Sequence, residues 1–236
     1  MSFSDDKERA VTQDQVTAFY DGMVFPSKTS HKAYEELVPT NLNGMKVGDF
    51  GCGQSLFIDV FKKLKYDAVF LDISQNALAT IDYGEKIHAS LTDIPLEDDY
   101  MDVIFCIGVV HHIPEMEKAI SEIARIMKRG GKLYLGIYSD NSLQAQIRKY
   151  YDNTDNVSIK RFVYSLTGML IWFKNRKNIR YKSIDNYKRT DDLLKTPLVR
   201  YSRPEYYSEI FKKYGCSLVE IKRISSMNIL IFQKAN

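Results

Sequence analysis

The stretch MKVGDFGCGQS, residues 45–55, limits the possible folds more than any other part of the chain. A short apolar strand runs into a turn punctuated by Gly51 and Gly53, and a helix is expected to begin near Gln54. Glycine at both positions lets the backbone reach φ > 0 and lets a ligand rest on main-chain atoms that a Cβ would cover. The tail GCGQS is not G-x-G-x-x-G, so a dinucleotide pyrophosphate on the helix N-terminus is not the expected occupant. A second apolar strand, 66–71, ends at Asp72, about twenty residues further on, where a carboxylate can take both hydroxyls of a ribose. Together the two features predict a nucleoside ligand that carries no pyrophosphate.

Around that unit the chain alternates strand and helix. A helix over 56–64 carries Leu56, Ile58, Val60, Phe61 and Leu64, and Ser74 is a suitable N-cap for the next helix. Residues 86–89 read as a short third strand. DVIFCIG, 102–108, is a continuous apolar run and therefore a parallel strand buried on both faces. A helix over 114–127 ends in Lys128, Arg129 and a Gly130–Gly131 stop, followed by a fifth strand over 132–138. This order predicts a doubly wound α/β fold with a parallel sheet. Residues 217–224 and 227–233 read as a closing hairpin around SSMN.

DFGCGQS, VFLDIS, LTDIPLEDDYMDVIFCIGVVHHI and ARIMKRGGKLYLGIY occur in that order, and the set resembles the class I S-adenosylmethionine-dependent methyltransferases of the small-molecule type, the type 11/12-like enzymes. The resemblance spans 45–138 well and continues more weakly from 202 to the C-terminus. It implies a seven-stranded Rossmann-like sheet whose last strand is antiparallel, with S-adenosylmethionine as cofactor. It also implies a division into an N-terminal helical cap over 1–44, a cofactor-binding core over 45–138 and 202–236, and a helical basic insertion over 139–201 acting as an acceptor lid.

By position in those motifs, Asp49, Gly51, Cys52 and Gly53 flank the amino-acid end of the cofactor, Asp72 binds the ribose and Ile73 lies against the adenine. Relatives often carry an acid near the adenine amino group where this chain has Ser90. Leu91 would then offer its backbone N–H to the ring, with Ser90 a weaker acceptor and Asp93 either an assistant or a turn former. Cys106, in the fourth strand, and Tyr20, in the leader, complete the expected cofactor contacts. Val16, Phe19, Tyr20 and Met23 share one helical side, and Phe19 and Tyr20 either close over the methionine end or cap the core.

Methyl transfer from a sulfonium needs little acid-base help, so proximity and orientation carry most of the rate. No catalytic residue is fixed by the sequence. His111 and His112 follow the fourth strand at the carboxyl edge, where an imidazole can serve as a base, although packing is the leading reading for both. Tyr138, Tyr201 and Asp140 border the expected acceptor pocket, and Arg200 and Arg203 either fork onto a carboxylate or phosphate of the acceptor or stay solvated. No Asn-Pro-Pro-Tyr-like motif follows the fourth strand, which argues against methylation of an exocyclic DNA base amine. No Cys/His cluster suggests a metal.

Charge is uneven. The chain is +3 overall, yet residues 141–200 hold thirteen Lys or Arg against five Asp, a local +8 that leaves the remainder at −5. An anionic small acceptor is the expectation drawn from this. RNA, tRNA included, or a membrane lipid is a weaker alternative as acceptor, and a non-catalytic cofactor-binding protein is a third class. The apolar run 162–173, with Trp172 and basic flanks, reads as a buried lid helix, a peripheral membrane contact or an oligomer contact. Oligomeric state is left open. Cys52, Cys106 and Cys216 lack disulfide or metal spacing, and the polar N-terminus shows no secretory pattern, so a cytoplasmic location is expected.

Overall fold

The computed structural model describes residues 11–23, 32–42, 44–175, 183–224 and 227–236, with side chains of 172–175 and 183–187 left aside. Parts of the expected leader helices (7–10, the break at Pro26 and His31), the side chains of Trp172 and Phe173, and the hairpin tip at 225–226 lie outside the described residues.

In chain order the elements are α1 (Gln13–Asp21), α2 (Lys32–Glu35), β1 (Lys46–Phe50), α3 (Ile58–Leu64), β2 (Asp67–Asp72), α4 (Gln75–Leu78) and β3 (Glu85–His88). They continue with β4 (Met101–Ile107), a 3-10 turn (Val110–His112), α5 (Met116–Ile126) and β5 (Met127–Tyr138). Three helices follow, α6 (Leu143–Asp152), α7 (Val157–Asn175) and α8 (Ser183–Lys195), then α9 (Pro204–Lys212), β6 (Cys216–Ile224) and β7 (Met227–Lys234).

The seven strands form one sheet in the order β3-β2-β1-β4-β5-β7-β6. Pairing is parallel from β3 through β5, and β7 is antiparallel to both β5 and β6. The chain runs outward from β1 through β2 to β3, then returns to lay β4 against the other side of β1. That reversal makes the carboxyl ends of β1 and β4 the place where an open α/β sheet leaves a crevice. β4 is buried on both faces as its apolar run requires: Ile104 packs with Ile120, Leu133 and Phe211 on one side, and Phe105 with Phe57, Phe61 and Ile229 on the other.

Two boundaries differ from the sequence expectation. α3 starts at Ile58 and not near Gln54, because Ser55 takes a left-handed conformation (φ 58°) that no helix can include. α5 stops at Ile126, and β5 begins at once at Met127, pairing with Met101; Gly130 and Gly131 sit inside the strand. Gly130 has φ 74°, and a Cβ on Gly131 would come within 2.8 Å of the Lys128 carbonyl, so the pair serves a kinked strand rather than a helix stop.

Two arginines hold the helices between β5 and α9, one joining them to each other and one joining the segment to the core. Arg148, buried on α6, donates to the Leu193 and Thr196 carbonyls at 3.1 and 2.9 Å and to Asp152 at 2.7 Å. Arg200 donates from its guanidinium to the carbonyls of Ile113 and Pro114, and from its backbone N–H to the His111 carbonyl at 2.9 Å. The segment thus leaves α8 fastened to the loop that follows β4.

Candidate active site

The crevice is real and holds a cavity of about 230 Å³. Its floor is the turn after β1. The Gly51 and Cys52 amides both donate to the Leu71 carbonyl, which draws the turn over the end of β2. Gly51 has φ 67°, and a Cβ there would lie 2.4 Å from a Val109 methyl, so the turn packs directly on the loop after β4. Gly53 also has positive φ, but nothing stands within 4 Å of where its Cβ would be. One glycine is required by packing, the other keeps main chain open to the cavity.

Asp72 is pinned beneath that opening. The Gly53 amide donates to its Oδ2 at 2.7 Å and the Ser74 amide to its Oδ1 at 2.8 Å. Each oxygen keeps a further lone pair, so the carboxylate can still accept two hydroxyls. Burial raises its pKa, and the amide hydrogen bonds work against that rise. Asp49 lies behind the turn, buried, with Ser55 Oγ donating to it at 2.6 Å; burial first, and then the charge of Asp72, push it up to about 7. Cys52 is buried beside it and Cys106 is sealed within β4, and neither Asp49 nor these thiols line the cavity.

The far wall is apolar, with Ile73, Ala89 and Leu91 on it. Ser90 also lines it, its hydroxyl paired with Thr92 Oγ1 at 2.8 Å and accepting from the Thr92 amide at 3.2 Å, which fixes the turn after β3. Asp93 is exposed and off the wall.

At the opposite end aromatic and acidic groups gather from four separate segments: Tyr20 of α1, His112 of the 3-10 turn, Tyr138 of β5 and Asp192 of α8 all line the cavity. Tyr20 donates to Asp192 Oδ1 at 3.3 Å and lies 3.3 Å from Thr196 Oγ1. Burial, opposed by the Tyr20 hydrogen bond and by Arg189 and Arg148, pushes Asp192 up to about 6. His112 donates from Nδ1 to the Leu198 carbonyl at 2.6 Å, which leaves Nε2 as the acceptor nitrogen of a neutral ring. Its burial pulls the pKa down to about 4. His111 is fully buried between His112 and Tyr138, at ring separations of 4.3 and 4.4 Å, and neither of its ring nitrogens has a hydrogen-bond partner among the described residues. It is held neutral, well below the usual imidazole range, by burial. Tyr201 packs on Tyr138 at 6.0 Å, behind the cavity wall.

The two arginines expected near the acceptor have other partners. Arg200 is bound to the carbonyls of Ile113 and Pro114, and Arg203, largely exposed, pairs with Asp140 at 3.1 Å. Neither lines the cavity. Asp192 went unnoticed in the sequence because an Asp in a charged helix, KRTDDLLK, looks like a solvated face; only the packing of α8 against α1 brings it into the site. Among the described residues no group of His, Cys, Asp and Glu is arranged to hold a metal.

The segment 48–135 matches the family model for a methyltransferase domain. An uncharacterized protein of Methanocaldococcus jannaschii is 30% identical over 187 residues, covering 76% of this chain and 78% of that one. The malonyl-[acyl-carrier protein] O-methyltransferase of Buchnera aphidicola is 24% identical, over 91% of this chain and 83% of the other. Among solved structures, the 1,6-didemethyltoxoflavin-N1-methyltransferase of Burkholderia thailandensis, with its substrate and S-adenosylhomocysteine bound, has a TM-score of 0.58 at 11% identity and covers 98% of this chain and 88% of its own.

Proposed function

Because the chain belongs to the class I S-adenosylmethionine-dependent methyltransferases, we propose that it methylates a small acceptor bearing a protic O–H or N–H group, bound at the Tyr20, His112, Tyr138 and Asp192 end of the cavity. S-adenosylmethionine supplies an activated methyl group on a sulfonium, so no residue has to activate the donor. The cavity fits that cofactor by its own chemistry. Asp72 has two free acceptor positions for ribose hydroxyls, Gly53 leaves main chain exposed, and Ile73 and Leu91 give the adenine an apolar wall. In this reading Asp49, Cys52 and Cys106 support the turn and strand from behind, and Ser90 shapes the adenine end.

One observation carries the acceptor reading: a half-buried carboxylate, Asp192, lines the far end of the cavity with Tyr20 as its hydrogen-bond donor. An O–H or N–H acceptor that gains a methyl group has to give up its proton to a neighbouring base. Asp192, pushed up to about 6, is matched to take that proton near neutral pH. His112 and His111, both held neutral, shape the pocket, and the helices 139–201 form its lid. The outcome to expect is that Asp192→Asn lowers turnover of a phenol or primary amine with labelled S-adenosylmethionine by roughly 10²–10⁴, the range of a lost general base, while S-adenosylhomocysteine affinity holds.

An anionic acceptor is the second reading. It is favoured by the thirteen Lys or Arg of residues 141–200 and by the likeness to a methyltransferase whose name gives it an acyl-carrier substrate. A carboxylate already carries no proton to lose. Turnover of a monocarboxylate that Asp192→Asn leaves unchanged would favour this reading over the first.

A further inference from the structure

The helices α6 and α7 pack side by side and present an apolar groove to solvent. On α6, Leu143, Ile147 and Tyr150 recur at helical spacing; on α7, Phe162, Leu166 and Leu170 do the same. These are not edge residues of a covered core: Leu143 is 66% exposed and Phe162 is 67% exposed, with Tyr150, Leu166 and Leu170 exposed as well. A contiguous apolar face of this kind on two neighbouring helices marks a surface that is covered in use.

Its surroundings select the covering. On and between the two helices, among the described residues, Lys149, Lys160 and Arg161 stand against Asp155, while Asp152 is taken up by the buried Arg148. Lys149 and Arg161 are exposed near the groove, and Lys160 lies over the Tyr151 ring at 5.4 Å. A symmetric dimer would press this same face, with its cationic flanks, against its own copy, which like-charge repulsion opposes. An anionic lipid surface supplies both halves of the match, since acyl chains receive the aromatic and aliphatic side chains while headgroups neutralise the cations. Among the described residues no helix is long and apolar enough to cross a membrane.

We propose that the α6–α7 face docks this protein onto anionic lipid bilayers. The contact lies next to the catalytic cleft in the fold: α8, which packs against both helices, carries Asp192 on its inner side. A docked lid therefore holds the acceptor end of the cleft one helix away from the lipid.

The test is sedimentation of the full chain with vesicles of phosphatidylcholine alone or with roughly one-third phosphatidylserine. Binding to the anionic vesicles at least about tenfold above the neutral ones, falling as salt is raised, is expected. Phe162→Glu should abolish it, while Val219→Glu, at an exposed apolar position on β6, should not. Both sites are exposed, so the variants should melt like the parent. Equal partition to both vesicle types, no partition at all, or undiminished binding by Phe162→Glu overturns the proposal. A lipid-free dimer that Phe162→Glu dissolves also overturns it and gives the face to a second copy.

Discussion

The Gly53 amide and the Asp72 carboxylate meet at 2.7 Å across nineteen residues of sequence, joining the ends of β1 and β2. The bond makes the glycine turn and the acid one unit, with the Ser74 amide holding the second oxygen. The two glycines of the turn differ in what they protect, and that difference can be measured.

Gly51→Ala should destabilise the fold, because its Cβ would meet the Val109 methyls at 2.4 and 2.5 Å in addition to the left-handed strain. About 2–4 kcal/mol is expected from overpacking and strain together. Gly53→Ala meets no atom, so its cost should be limited to about 1–2 kcal/mol of strain, with the main loss appearing in S-adenosylhomocysteine affinity. Urea melts and calorimetry on both variants check this; equal stability losses with equal affinities would contradict it.

Asp192→Asn should stabilise the protein above pH 6 and leave it unchanged near pH 3. Asp192 ionises at about 6 in the folded protein, against an ordinary value near 4, so between those values the folded state binds the extra proton. Stability contributed by that proton is present at low pH and lost as pH rises through 6. The neutral His112, at about 4 when folded, acts in the opposite sense over the same range, its stability being lost as pH falls below 6.5. The difference between variant and parent isolates the carboxylate. Denaturant melts at several pH values should show the gap opening upward; a gap that closes upward would refute the assignment.

Arg148→Met should loosen α8. The guanidinium donates to Leu193 and Thr196 carbonyls from a buried position, and its loss should cost about 2–3 kcal/mol, the scale for bonds to a charged group. Hydrogen exchange should rise in 183–195 and remain slow in β4. Unchanged exchange in α8 would show that the helix is held by other contacts.

Much of this was legible because local rules and fold rules agreed. DVIFCIG reads as a doubly buried strand, and Ile104 and Phe105 do face opposite cores. Gly51, Gly53 and Asp72 were visible as a set because β1 and β2 are consecutive and short. The start of α3 was not legible, since Ser55 in a left-handed conformation is imposed by its bond to Asp49 and by no signal of its own. Nor was the start of β5 at Met127, since the Gly130–Gly131 pair satisfies a helix stop and a kinked strand equally well. Asp192 and Arg200 show the larger limit. Each is a charged residue in a polar-looking segment, and only tertiary packing sends the first into the cavity and the second onto the carbonyls of the loop after β4.

Calorimetric titration of S-adenosylhomocysteine into the full chain and into Asp72→Ala tests the central claim most directly. Binding by the parent, weakened in the variant by about 1–3 kcal/mol with folding intact, is the expected result, since the lost carboxylate would take its charge-assisted hydrogen bonds to the ribose with it. No binding by the parent, or the same affinity in both proteins, would contradict the account.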